Sequence, residues 1–115
     1  MNDLNSILIE GTIIKDVEFV DKEESTFCIF TLASNHYLEK NNKVEKETTL
    51  VNIKAWSILA EHCHKMGHKG RSVRVVGHLK QDNTLIIEAE HIEFRPFNKK
   101  KPDENLLFDD EENNE

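Results

Sequence analysis

The chain has 115 residues, with 15 Lys and Arg against 22 Asp and Glu and a formal net charge of −7. That length allows one domain with a modest core and excludes a second, catalytic domain. No apolar run approaches the roughly 18 residues of a membrane span, and the opening MNDLNSILIEG lacks the basic stretch expected of a signal peptide.

Cys28 and Cys63 stand in neither a metal nor a redox spacing, which predicts a reduced, cytoplasmic protein. The charge is unevenly spread. Residues 1–102 hold every basic residue, balanced by as many acids, and the remaining acids crowd residues 103–115. The body is therefore neutral. An acidic pI excludes nucleic-acid binding only where the acids line the binding surface.

Residues 4–20, LNSILIEGTIIKDVEFV, alternate and are rich in Ile and Val, which predicts a first strand. Gly11 interrupts it, as glycine does where a strand bends at a barrel corner. Residues 21–25, DKEES, are a polar turn. Residues 27–34, FCIFTLAS, form a second strand with Cys28, Phe30 and Leu32 on one face and Phe27, Ile29 and Thr31 on the other. Residues 35–47, NHYLEKNNKVEKE, turn polar, with Tyr37 as the one aromatic, and predict a hairpin with a long loop.

A third strand runs from Val51 to Trp56. Val51, Ile53 and Ala55 suit a core, while Leu50, Asn52, Lys54 and Trp56 share the opposite face. An indole beside Lys and Asn on an outer strand face is what a platform for stacking bases requires. The alternative is a lone Trp turned inward as a core anchor.

Ser57 is the predicted N-cap of a helix with Glu61 near its positive end. Ile58, Leu59, Cys63 and Met66 form its apolar stripe, and Gly70 is its expected left-handed stop. Strand four, residues 72–79, points Val73 and Val75 inward and Arg74, Val76 and His78 outward. Residues 81–84 turn the chain into strand five, residues 85–94, with Ile87, Ala89 and Ile92 in the core. A break in alternation near His91 predicts a bulge.

Five strands with one helix between the third and fourth describe an all-β, five-stranded OB-fold barrel over residues 1–95. Residues 96–115 read as a linker and a disordered acidic tail.

Four stretches carry a family resemblance. LNSILIEGTIIKDVE is similar to the LNxVxLIGxLxxDPE opening of the bacterial single-stranded DNA-binding proteins, and FCIFTLASN resembles their xFSLATN strand. WSILAEHCHKMGHKGRSVRVVGHL resembles their GKLAE…KGxxVxVxGxL segment, which opens on Trp or Phe, and EAEHIEF their closing VADEVQF-like strand. The resemblance spans residues 4 to about 94 and implies sequence-independent binding and protection of single-stranded DNA in replication, recombination and repair. It also implies a homotetramer associated with the nucleoid, without catalysis or cofactor.

By position, Trp56 takes the place of the family's stacking aromatic before the helix, and Tyr37 that of an aromatic early in the hairpin. Leu50 stands where an aromatic is usual. Asn52 and Lys54 share the Trp56 face, and Lys54 and Arg74 are expected to neutralise phosphates. Ser6 replaces a basic residue of the family, Val17 replaces a Pro, and the hairpin between strands four and five is cut short. In the tail, Leu106, Leu107 and Phe108 precede Asp109 and Asp110, the reverse of the family's order of acids before an apolar tip. These five residues are the expected contact for replication and repair proteins.

Other constellations are weaker. His64 and His68 have a helical spacing that can bind zinc, with His62 and Cys63 beside them. No second ligand pair accompanies them, so no metal is expected. Nothing assembles a nucleophile with a base or a phosphate loop, so no enzyme is expected either. Lys99, Lys100 and Lys101 read equally as a phosphate patch or a solvated linker. The neutral body and short hairpin favour one rival, a protein–protein OB module of the primosome machinery with secondary nucleic-acid binding.

Overall fold

The computed structural model describes residues 2–96. Strands β1 (Ile7–Ile13), β2 (Glu18–Lys22), β3 (Ser25–Lys40) and β4 (Lys43–Trp56) lead into helix α1 (Ser57–Met66), followed by β5 (Ser72–Asp82) and β6 (Thr84–Phe94). The sheet order is β1-β5-β6-β4-β3-β2, and an added β1–β3 pairing closes it into a barrel. Among the described strands, only β4 and β6 run parallel, at Ile53↔Ile87 and Lys54↔Glu88. This is the OB-fold barrel expected from the sequence, with its helix between the third and fourth barrel strands.

The predicted single strand over residues 4–20 is two. β1 pairs with β5 from Ile7 to Thr12 and changes partner to β3 at Thr12 and Ile13. β2 then pairs with β3 in register Glu18↔Ile29. A strand cannot serve two neighbours at an angle without a break. Gly11 sits at the change of partner, where a Cβ would run into the carbonyl oxygen of Ala33 and stop the strands closing.

The predicted long loop over residues 35–47 is instead a continuous ladder. β3 and β4 stay paired out to Lys40↔Lys43, and only Asn41 and Asn42 turn, at φ 53° and 63°. Two successive left-handed residues make the tight turn whose twist matches the strands, and Asn tolerates that conformation. The ribbon is polar because both its faces meet solvent.

The β5–β6 turn shrinks likewise from the expected residues 81–84 to Asn83 at φ 65°. The predicted bulge is present. The register moves from Val76↔His91 to Gly77↔Ala89, leaving Glu90 as the extra residue.

Helix α1 differs at both ends from expectation. β4 runs directly into it, so Trp56 occupies the N-cap position in extended conformation with no side-chain cap, and Ser57 makes the turn at φ 57°. The helix stops at Gly67, whose N–H donates to the Cys63 carbonyl, while Gly70 adopts φ 93° in the turn beyond. Only part of the expected stripe is inward. Cys63 is buried together with Ala60, and Leu59 packs against the core, but Ile58 is 67% exposed. A single ten-residue helix plugging a barrel buries one narrow side, and Ile58 lies off it.

The core joins Ile13, Cys28, Phe30, Leu32, Ile53, Val73, Val75, Ile87 and Ile92 with the helix. Cys28 and Cys63, remote in sequence, hydrogen-bond through their thiols in this core, and that bond together with burial pushes the Cys63 thiol up.

Candidate nucleic-acid interface

The β3–β4 ladder fixes which side chains share a face. Its outer rows pair Phe27 with Trp56, Ile29 with Lys54, Thr31 with Asn52, Ala33 with Leu50, Asn35 with Thr48 and Tyr37 with Lys46. Alternation sends the core residues Cys28, Phe30 and Leu32 to the other side, and with them Glu45 and Glu47 of the ribbon. The Trp56 face therefore carries Lys54 and Lys46, while much of the ribbon's acid faces away.

Trp56 is outward, 37% exposed, and does not anchor the core. Its ring lies 5.3 Å from that of Phe27 at 56°. The Lys54 ammonium sits 4.5 Å from the centroid of each ring and 3.6 Å from Asp82. A cation held over two aromatic faces keeps its stem packed and its charge at the surface.

Further along, Thr31 donates to the Asn52 side-chain oxygen at 2.8 Å, and Thr48 to that of Asn35 at 2.7 Å. Leu50 and Tyr37 are open to solvent. Two clefts flank Asn52. One, of about 270 Å³, is lined by Lys15, Asp16, Glu18, Ile29 and Thr31; the other, of about 170 Å³, by Lys54, Asp82, Thr84 and Ile86.

The β6 border of this face is acidic. Trp56 Nε1 donates to Glu88 at 2.6 Å, and Glu88 also faces His78 at 3.0 Å and Lys80 at 3.8 Å. His78 meets Glu90 through its other ring nitrogen at 2.8 Å. The indole N–H first, then Lys80 and His78, hold the Glu88 carboxyl below its usual range against a smaller opposing effect of burial. Glu90 and Glu88 raise the His78 pKa.

Of the residues singled out from the sequence, the ladder brings Trp56, Lys54, Asn52, Leu50 and Tyr37 onto one face. Arg74 is not among them. It lies in the row Glu10–Arg74–Glu93 on the outer face of β1, β5 and β6. Two of its nitrogens reach Glu10, at 2.9 and 2.6 Å, and Arg95 shares that carboxylate at 2.8 Å. Sequence reasoning passed over Phe27 and Glu88. Phe27 had a signal, since its parity opposes Cys28 and Phe30. Glu88 had another, as a lone acid in the apolar run of residues 85–89.

Leu106, Leu107, Phe108, Asp109, Asp110 and Lys99–Lys101 lie outside the described residues. Among those described, no three His, Cys, Asp or Glu side chains converge as a metal site needs, and His64 stacks on Phe19 at 4.2 Å. Also among them, no helix is long and apolar enough to cross a membrane.

Comparison with known proteins bears on the family and the fold. The chain is 30% identical to single-stranded DNA-binding protein 2 of Chlorobaculum tepidum, over 96% of this chain and 85% of that one. In fold it is similar to the small single-stranded DNA-binding protein of Streptomyces coelicolor, with a TM-score of 0.69 at 23% identity, covering 83% of this chain and 96% of that one. It is similar also to the Plasmodium falciparum SSB solved with single-stranded DNA, with a TM-score of 0.70 at 19% identity, over 84% of this chain and 98% of that one. The model of the single-strand binding protein family matches residues 4–86, and the chain belongs to that family.

Proposed function

We propose that this protein binds single-stranded DNA without sequence preference and protects it during replication, recombination and repair. The observation that carries this is the Phe27–Trp56 pair with Lys54 between the rings, continued by the row to Tyr37 and Lys46. Aromatic faces accept any base, and the lysines meet phosphates, so the surface binds without reading sequence. Asn52 and Leu50 lie between these ends, offering an amide to base edges and an apolar step beneath the chain. Arg74, already held by Glu10 and Glu93, is left out of this track. The role is one of binding rather than catalysis.

A fluorescence titration with oligo-dT at several salt concentrations tests the proposal. Saturable quenching of Trp56 that weakens as salt rises is expected; an unchanged signal at low salt moves the reading to a protein–protein OB module. The same titration of a chain ending at Pro102 tests the acidic tail. Seven acids without a base can compete with phosphates for Lys54 and Lys46, so removal is expected to tighten binding most at low salt. Coincident curves would show that the tail does not compete. Capture of replication and repair proteins through Leu106, Leu107, Phe108, Asp109 and Asp110 is expected to be lost in the same truncation.

The protein is further proposed to assemble as a homotetramer. Among the described residues, β1 meets β3 only at Thr12 and Ile13, which leaves one backbone edge of Ile7–Gly11 unpaired. On the same strand Leu8 is 69% exposed beside Val76 of β5, an apolar pair that a second copy would cover. Light scattering is expected to return about four chain masses at micromolar concentration. A mass of 13.4 kDa would end this proposal.

A further inference from the structure

Trp56 stands on a short chain of polar contacts that phosphate binding does not explain. Its Nε1–H donates to Glu88 Oε2 at 2.6 Å, Glu88 Oε1 faces His78 Nε2 at 3.0 Å, and His78 Nδ1 faces Glu90 Oε2 at 2.8 Å. An acid beside a surface meant for a polyanion opposes binding on charge alone. Its position is therefore informative. It accepts from the one N–H of the indole, while the Phe27 ring lies 5.3 Å from the indole, so the ring is held at two points.

We propose that Glu88 is the positioning residue for Trp56, and that the charge of His78 sets how firmly Glu88 holds it. This rests on the reading that bases stack on Trp56. A ring free to turn loses rotamer freedom when a base lands on it, and a ring already held does not. Glu88 makes Trp56 ready before DNA arrives.

The role of His78 follows from its two neighbours. Both ring nitrogens face carboxylate oxygens, and an imidazole donates from both only when protonated. Deprotonation turns one lone pair toward a carboxylate, breaks one of the two contacts, and leaves the border one charge more negative. The charged groups that face it are Glu88 and Glu90 on β6, and Lys80 on its own strand β5 reaches the same Glu88. Lys80 lies 3.8 Å from Glu88 and only partly replaces the lost cation. The carboxylates raise the His78 pKa, so the change falls above the ordinary histidine range. Both effects of deprotonation, a looser Trp56 and a more negative border, weaken binding.

The test compares Glu88→Gln with Glu88→Ala in oligo-dT titrations followed by anisotropy of a labelled strand, with Trp56 quenching recorded alongside. Both variants remove the same charge, but only Gln keeps an acceptor for the indole N–H. Expected is an affinity about five-fold weaker for Glu88→Ala than for Glu88→Gln, with an indole N–H signal that exchanges faster in the DNA-free Ala variant. Wild-type affinity is expected to fall as the pH is raised above the ordinary histidine value, and His78→Gln to flatten that fall.

Equal affinities for the Ala and Gln variants, with Trp56 still quenched by DNA, overturn the positioning role and leave the stacking reading intact. An unchanged profile in His78→Gln overturns the role of His78. Binding in anisotropy with no quenching of wild-type Trp56 overturns the stacking reading itself, and the positioning role with it.

Discussion

Replacing Leu32 with alanine is expected to remove about 2–5 kcal/mol of folding stability and lower the Tm by more than about 10 °C. Leu32 is fully buried on β3, in register with Ile13 of β1 on one side and Val51 of β4 on the other. Three paired backbones hold the walls of the site apart, so the barrel cannot collapse onto the missing atoms, and the cavity remains. Its neighbours along the strand point outward, so single-strand affinity measured well below the Tm is expected to stay near wild type. A Tm within about 3 °C of wild type, measured by scanning calorimetry, would show that the closure of β1 on β3 is soft.

Replacing Trp56 with alanine is expected to have the opposite profile. Affinity for oligo-dT falls by about 1–3 kcal/mol, roughly 5- to 150-fold, because the stacking surface beside Phe27 is lost. The fold remains, since the ring is 37% exposed and its neighbours Phe27, Lys54 and Glu88 are only partly buried and lie outside the core. Anisotropy with a labelled strand reads the affinity, because the variant has lost its own fluorophore. A large fall in Tm with unchanged affinity would make Trp56 a structural residue. Taken together, the two substitutions separate the inside of β3–β4 from its outside: one strand pair, two faces, two independent losses.

Arg74 illustrates why charge in a sequence does not locate a binding surface. As an outward Arg on a barrel strand it is a reasonable phosphate contact. In the fold it stands between Glu10 and Glu93, with Arg95 sharing Glu10, in a network of four charges on the far strands. An anion would have to displace those carboxylates first. Lys46 is the contrary case. Nothing in the sequence singles it out, yet its register opposite Tyr37 places it on the Trp56 face.

The sequence by itself determined the local features. Alternation of period two assigned Val51, Ile53 and Ala55 to one face of a strand and Trp56, Lys54, Asn52 and Leu50 to the other, because neighbouring side chains on extended backbone must point oppositely. It also located the helix between two strands, the bulge near His91, and the bend at Gly11. Four motifs in order carried the family.

The tertiary structure decided what depends on pairing. Polarity could not tell a solvated loop from a two-sided ribbon over residues 35–47, since both are hydrophilic and differ only in hydrogen bonds between strands. Residues 4–20 looked like one strand because alternation persists through a change of partner. The ends of α1 were set by β4 feeding straight into it, which gave the cap position to Trp56 rather than Ser57. Phe27 joined Trp56 through register across β3 and β4, and Glu88 reached its indole through the one parallel pairing in the barrel. Those contacts join residues 29 and 32 positions apart in the chain, and only the pairing of neighbouring strands in the sheet brings them within reach of one another.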